Sequence, residues 1–189
     1  MQPRHTEPHQ PPPQGPDEIG RLEALVADQT KLIAAHPDDA SAYHRRAILY
    51  GQLVEPLLAI QDFDQVLALE PQNAEAYYNR GMAFVHLKQH IVAIDDFTEA
   101  IRIQPDHVHA YNNRAAAYFD LGQAQQALED AQNALKLDPS LASAHALCAM
   151  AHTQLGNDEQ AKASAAKAQQ LGFDRMTLLF LLRQAKEVP

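Results

Sequence analysis

The sequence predicts an all-α fold built as a solenoid of stacked helix pairs, and three observations predict it. Landmark residues return every 34 positions through most of the chain. Each period holds two stretches whose apolar residues fall on one helical face. A proline stands where the second stretch of each period should end, at Pro37, Pro71, Pro105 and Pro139, because proline cannot continue a helix. Composition agrees: 46% of residues are hydrophobic but only 6% are aromatic, with no Trp, which suits Ala-rich helices packed closely.

Residues 1–16 are rich in Pro, Gln and His, and Pro11, Pro12 and Pro13 are consecutive. With no apolar period they read as a disordered or polyproline-like tail. Residues 17–36 read as a lone second helix that caps the N-terminal end, since Asp28 and Pro37 fall in columns that mark second helices further on. Full periods occupy 40–73, 74–107 and 108–141, and a degenerate one occupies 142–173. A short helix over 174–186 caps the other end.

Within the first period, Tyr43, Ala47 and Tyr50 share one face of a helix over 40–53, and Ala59, Phe63, Val66 and Leu67 share one over 56–69. Other columns keep the register: Ala59, Ala93, Ala127 and Ala161; Leu53, Leu87, Leu121 and Leu155; Tyr43, Tyr77 and Tyr111; Tyr50, Phe84 and Tyr118. The Ala column is a contact requirement, because only a small side chain lets two helix backbones approach. Gly122 and Gly156 suit the turn between paired helices, and Pro56 suits a first helical position. The fourth period lacks the closing proline and sets His145 and His152 in aromatic slots, as terminal copies of repeat arrays often do.

A 34-residue period with these landmarks resembles the tetratricopeptide repeat. The clearest copy reads A-E-A-Y-Y-N-R-G-M-A-F from Ala74 to Phe84, then A-I-D-D-F from Ala93 to Phe97. The resemblance implies a right-handed superhelical solenoid whose first helices line a concave groove. It also implies an adaptor or scaffold that takes a peptide or helical segment of another protein in that groove. At the groove-facing positions of the family stand His44, Arg45 and Ile48, then Tyr78, Asn79, Met82 and His86, then His109, Asn112, Asn113, Phe119 and Asp120. Amides, imidazoles and a few apolar groups suit a peptide whose backbone is hydrogen-bonded by Asn79 and Asn113 and whose side chains touch Tyr, Met and Phe.

The run Y-N-N-R-A-A-A-Y from Tyr111 to Tyr118 looks like the co-chaperone subgroup, which captures acidic C-terminal tails of heat-shock proteins with basic residues around a central amide. Asn113 matches that amide. The basic slots hold Tyr78, Ser143 and Leu147, and a neighbouring amide slot holds Met82. A carboxylate would meet no fixed cation there, so acidic-tail binding stands as an alternative to the adaptor reading.

Two charged columns repeat as well: Arg46, Arg80 and Arg114, and Asp28, Asp62, Asp96 and Asp130. We expect them to pair across stacked helices, as Asp28–Arg46, Asp62–Arg80 and Asp96–Arg114. Pairing within each repeat, as Arg46–Asp62, satisfies the same columns. In the fourth period Cys148 and Ser164 replace both charges together, which fits a structural pair, since stranding one buried charge costs about 3–5 kcal/mol.

The segment from Met176 to Leu182 is apolar over most of its circumference. Leu178 and Leu182 should cover the fourth repeat. Leu179 and Phe180 then remain for the last turn of the solenoid or for a partner interface, a homodimer included. That would make the chain a structural assembly subunit, the second class of function.

Other classes lose support. A net charge of −9 disfavours nucleic acid, where affinity comes from Lys and Arg. Cys148 is the only cysteine among 189 residues, so no internal disulfide or thiolate cluster forms. Ten histidines invite a metal, yet none sits in an H-E-x-x-H or comparable motif, and surface histidines are the plainer account. No phosphate loop or nucleophile turn is present, so neither an enzyme nor a cofactor is expected. No apolar run approaches the ~20 residues of a membrane span, and no leader precedes the repeats, which points to a cytoplasmic setting.

Overall fold

A computed structural model describes residues 15–186. The expected N-terminal tail lies outside this range except for its last two residues, and Pro16 is in fact the first residue of a helix. Ten helices follow one another, with no strand among the described residues: α1 Pro16–Ala35, α2 Ala40–Gln52, α3 Pro56–Leu69, α4 Ala74–His86, α5 His90–Ile103, α6 Val108–Asp120, α7 Ala124–Leu137, α8 Ala142–Gln154, α9 Asp158–Gln170 and α10 Arg175–Ala185.

The helices pair as the period requires. α2 packs on α3, α4 on α5, α6 on α7 and α8 on α9, and α1, α3, α5 and α7 each pack on the helix that follows. Each first helix also meets the first helix of the next repeat, while second helices make no comparable contact with one another. The stack therefore curves toward its first helices, which form the inner face.

Local chemistry sets each boundary. Asp39, Asn73 and His107 occupy one column and cap α2, α4 and α6 with side-chain acceptors, satisfying amide groups that a helix start leaves open. Pro16 and Pro56 open α1 and α3. The turn within each repeat needs a residue in the left-handed region, and Gly122 and Gly156 supply it at φ 73°. The same turn in the first two repeats is made by Val54 and Lys88, at φ 59° and 60°.

The small-residue column is buried throughout: Ala59, Ala93, Ala127 and Ala161 expose no more than 7% of their surface. Phe63, Val66 and Leu67 pack with Ala47 and the rings of Tyr43, Tyr50 and Tyr77. Gly81 stands where other repeats have Ala, and Phe97 fills the space beside it: a Cβ there would lie 2.8 Å from the Phe97 ring.

The charged columns pair within repeats, which corrects the cross-repeat pairing expected above. Arg46 binds Asp62, Arg80 binds Asp96 and Arg114 binds Asp130, each through two guanidinium nitrogens on both carboxylate oxygens. Such forked pairs exploit the planar geometry of Arg. The remaining nitrogen reaches back to the preceding second helix, onto Thr30, Asp64 and Thr98. Asp28, with no first helix of its own repeat among the described residues, instead pairs in solvent with Lys31.

Candidate peptide-binding groove

Successive first helices are tied across the inner face by side chains from adjacent columns. Asn79 of α4 approaches His44 of α2 at 3.5 Å, and Asn113 of α6 donates to the Tyr78 hydroxyl at 3.0 Å. The links continue through Asn112, which donates to Asn113, and Ser143 of α8, which donates to Asn112. These polar groups are half-buried and already oriented.

Tyr78 sits at the centre. Its ring packs against His107 at 4.7 Å and against Phe97 at 6.0 Å. Burial pushes its hydroxyl up to about 12, so it remains a proton donor at neutral pH. Since it accepts from Asn113, its own O–H is available to a ligand. Asn113, by contrast, gives its amide nitrogen to Tyr78 and Met82 and its oxygen to Asn112. It is a strut for its neighbours more than a second copy of Asn79, whose side-chain oxygen has no partner among the described residues.

His107 was grouped with surface histidines by sequence, but it is 5% exposed. Its Nδ1 accepts the Ala110 amide, which places the proton of the neutral ring on Nε2. Nε2 stands 3.6 Å from a Glu75 oxygen. The closeness of His107 holds the Glu75 carboxyl below its usual range. Burial pushes His44 down, leaving it neutral at pH 7.

The remaining candidates divide. Ile48 is 39% exposed and lines a cleft of about 390 Å³ with Leu25, Gln29, His44, Arg45 and Leu49. Arg45 donates to Gln29 of α1. His86, His109 and Asp120 are exposed, and an Asp120 oxygen lies 3.6 Å from His90. Phe119 departs from expectation: it is 7% exposed and belongs to the core with Leu128, Leu147 and Met150.

The reason is α10. It packs mainly on α8, with a smaller contact to α9. Leu178, fully buried, meets Ala146 and Ala168, and Ala185, Leu181 and Leu182 join the cluster that holds Phe119. Ala146 occupies the column of His44, Tyr78 and Asn112, so α10 closes the inner face at the fourth repeat. For the same reason α8 is apolar on nearly every side, with Ala146–Ala151 all buried. Within that run the Cys148 thiol is pushed up to about 11 by burial and stays protonated. Leu179 and Phe180 remain 49% and 60% exposed.

Family models for the tetratricopeptide repeat match residues 44–108 and 108–141, together just over half of the 189 residues. The chain belongs to the tetratricopeptide repeat family. Among solved structures it resembles a crystal structure of MamA, with a TM-score of 0.77 at 22% identity over 80% of this chain and 89% of that one. MamA 41-end from Desulfovibrio magneticus RS-1 gives 0.76 at 22% identity over 80% and 86%. YrrB, described as a TPR protein with an unusual peptide-binding site, gives 0.74 at 22% over 90% and 86%. At this identity the likeness establishes the fold. The search of curated proteins returned no significant match.

As a tetratricopeptide repeat protein, the chain has the architecture of a protein-interaction scaffold. Among the described residues no group of three His, Cys, Asp or Glu is placed to hold a metal, and no helix is long and apolar enough to cross a membrane. Ser143 and Leu147, at the clamp positions of the co-chaperone subgroup, are respectively bonded to Asn112 and buried.

Proposed function

We propose that this chain is a non-catalytic adaptor that holds an extended or helical segment of a partner protein along the inner face of α2, α4 and α6. One observation carries the reading: the Tyr78–Asn113 and His44–Asn79 contacts hold polar side chains in place while leaving the Tyr78 O–H and the Asn79 oxygen for a ligand. Groups fixed in advance lose little entropy on binding. Asn79, Tyr78 and Met82 form the centre of the surface. Asn112 and Asn113 brace it, His86 and His109 lie at its rim, and His44, Arg45 and Ile48 form its N-terminal entrance.

The preferred segment is neutral or mixed in charge. Among the described residues no lysine or arginine flanks Asn113 on the inner face, so an acidic tail would lose its hydration without gaining an ion pair there. Affinity capture from a cytoplasmic extract, read by mass spectrometry, tests the site. Tyr78→Ala/Asn79→Ala should lose the captured partner while Phe180→Glu keeps it. Loss with Phe180→Glu alone would move the site to α10.

A further inference from the structure

The described array begins and ends on half a repeat, and the halves are complementary. α1 is a second helix by register: Asp28 aligns with Asp62, Asp96 and Asp130. Among the described residues no first helix of its own repeat precedes it. α10 is a first helix by register. Its Leu178 falls in the column of Ala42, Ala76, Ala110 and Ala144, and its Ala185 in that of Ala83, Ala117 and Ala151, all buried. Among the described residues no second helix of its own repeat follows α10.

Both half-repeats expose what the internal repeats bury. Leu25 and Leu32 of α1 are 40% and 42% exposed, whereas their equivalents Ala59 and Val66, Ala93 and Ala100, Ala127 and Ala134 expose 1% or less. On α10, Met176 is 72% exposed and Leu179 49%; these align with Ala40, which is buried, and with Tyr43, which packs on Phe63, Val66 and Leu67 in the second helix of its own repeat. Among the described residues the 390 Å³ cleft marks this place. It lies between Leu25 and Gln29 of α1 and His44, Arg45, Ile48 and Leu49 of α2. Asn79 and Asn113, the equivalents of Arg45, reach back to the preceding first helix, so the cleft is where a preceding first helix would lie. Charge agrees: α1 carries Asp17, Glu18, Glu23 and Asp28 against Arg21 and Lys31, while α10 carries Arg175 and Arg183 and no acid.

We propose that copies of this chain associate head to tail, α10 of one copy seating on α1 of the next to complete a composite repeat. The contact joins unlike surfaces, so it propagates as an open chain rather than stopping at a symmetric pair. A helix about 16 Å long covers roughly half the ~800 Å² per partner of a standard interface, so the association is weak and concentration-dependent.

Sedimentation velocity from about 10 to 500 µM tests this. The wild type should rise in weight-average mass beyond that of a dimer. Leu25→Glu/Leu32→Glu and Leu179→Glu/Phe180→Glu should each stay monomeric alone. An equimolar mixture of the two variants retains one good α10 and one good seat, and should form a dimer and nothing larger. Circular dichroism checks folding, and Leu25→Ser/Leu32→Ser replaces the charged pair if α1 unravels. A monomeric wild type at every concentration overturns the proposal. So does a monomeric mixture, or an α1 variant that still dimerises, which would mean α10 pairing with itself. Tyr78→Ala/Asn79→Ala should leave self-association unchanged, which separates this contact from the groove.

Discussion

Arg80 lays two guanidinium nitrogens on the two carboxylate oxygens of Asp96, at 2.6 and 2.9 Å, and turns the third onto Asp64 of the preceding helix at 2.6 Å. Burial pushes the Asp96 carboxyl up, against the opposing pull of Arg80, while the bond from Asp96 raises Arg80 further. The forked geometry keeps both charged. Their value lies in mutual satisfaction, because each would be costly alone. Arg80→Cys strands a carboxylate that is 4% exposed and should cost about 3–5 kcal/mol. Arg80→Cys/Asp96→Ser copies the residues of the fourth repeat and should cost less than Arg80→Cys by itself. Urea denaturation of both variants checks the order, and a double variant less stable than the single would contradict it.

Val54→Gly should stabilise the protein. Val54 holds φ 59° in the turn where later repeats place Gly122 and Gly156. A left-handed conformation costs an L-residue roughly 1–2 kcal/mol, and a branched Cβ makes it worse. Val54 is 60% exposed, so little packing is lost. Offset by the greater freedom of Gly when unfolded, the net gain should be about 1 kcal/mol, read as a higher melting temperature. An unchanged or lower value would show that the turn carries no such strain.

Gly81→Ala should do the opposite, although Ala is the better helix former by about 1 kcal/mol. The new methyl would meet the Phe97 ring at 2.8 and 3.0 Å and the Ala93 carbonyl at 3.3 Å. Phe97 is fully buried and has little room to move. Overpacking of this kind costs about 1–3 kcal/mol. Adding Phe97→Leu should recover part of the loss, and chemical denaturation of the three variants measures it. The neighbouring Ala93→Leu, also at a fully buried position, should cost a similar amount; no change in its melting temperature would place the repeat register elsewhere.

Stability should fall as the solution is acidified through the histidine range. Burial lowers His44 from its ordinary 6.5, so the unfolded chain binds the proton more readily than the folded one. The contribution is complete above 6.5 and is lost as pH falls through the lower folded value. Protonation also removes the acceptor that faces the Asn79 amide, so partner affinity should weaken over the same window. His44→Gln should flatten both profiles between about pH 7.5 and 5.5; a profile left unchanged would assign the dependence to other groups.

The period made most of the fold legible. Pro, Ala and aromatic columns marked the paired helices, and Asp28 with Pro37 marked α1 as a second helix, because each column answers to a local contact repeated down the array. What resisted reading was set by geometry between elements. Either partner satisfied the Arg column, and only the helix packing selects Asp62 over Asp28. The third guanidinium partners, Thr30, Asp64 and Thr98, also stand 34 apart, a signal obscured because the column mixes residue types. Val54 and Lys88 gave no hint of a left-handed turn, since neither favours one. His107 reads as a surface residue until its role as a helix cap is seen. At the candidate site, Tyr78 and Asn79 reach Asn113 and His44 across the inner face. Phe119 is buried because α10 folds inward over α8, a long-range contact that no periodicity in Phe119's own repeat records.

The three arginines fasten each first helix to the second helices on both sides of it, at α2, α4 and α6. At α8 the same position is Cys148, with no charge to give. In an array whose parts touch only their neighbours, cooperativity is limited by its weakest junction, and here the ionic fastening stops between α7 and α8. The molecule should therefore open in two blocks on the hydrogen-exchange timescale. Amides of α8–α10, joined to the rest by apolar contact and the Ser143–Asn112 hydrogen bond but by no ion pair among the described residues, should exchange as one unit ahead of those in α2–α7.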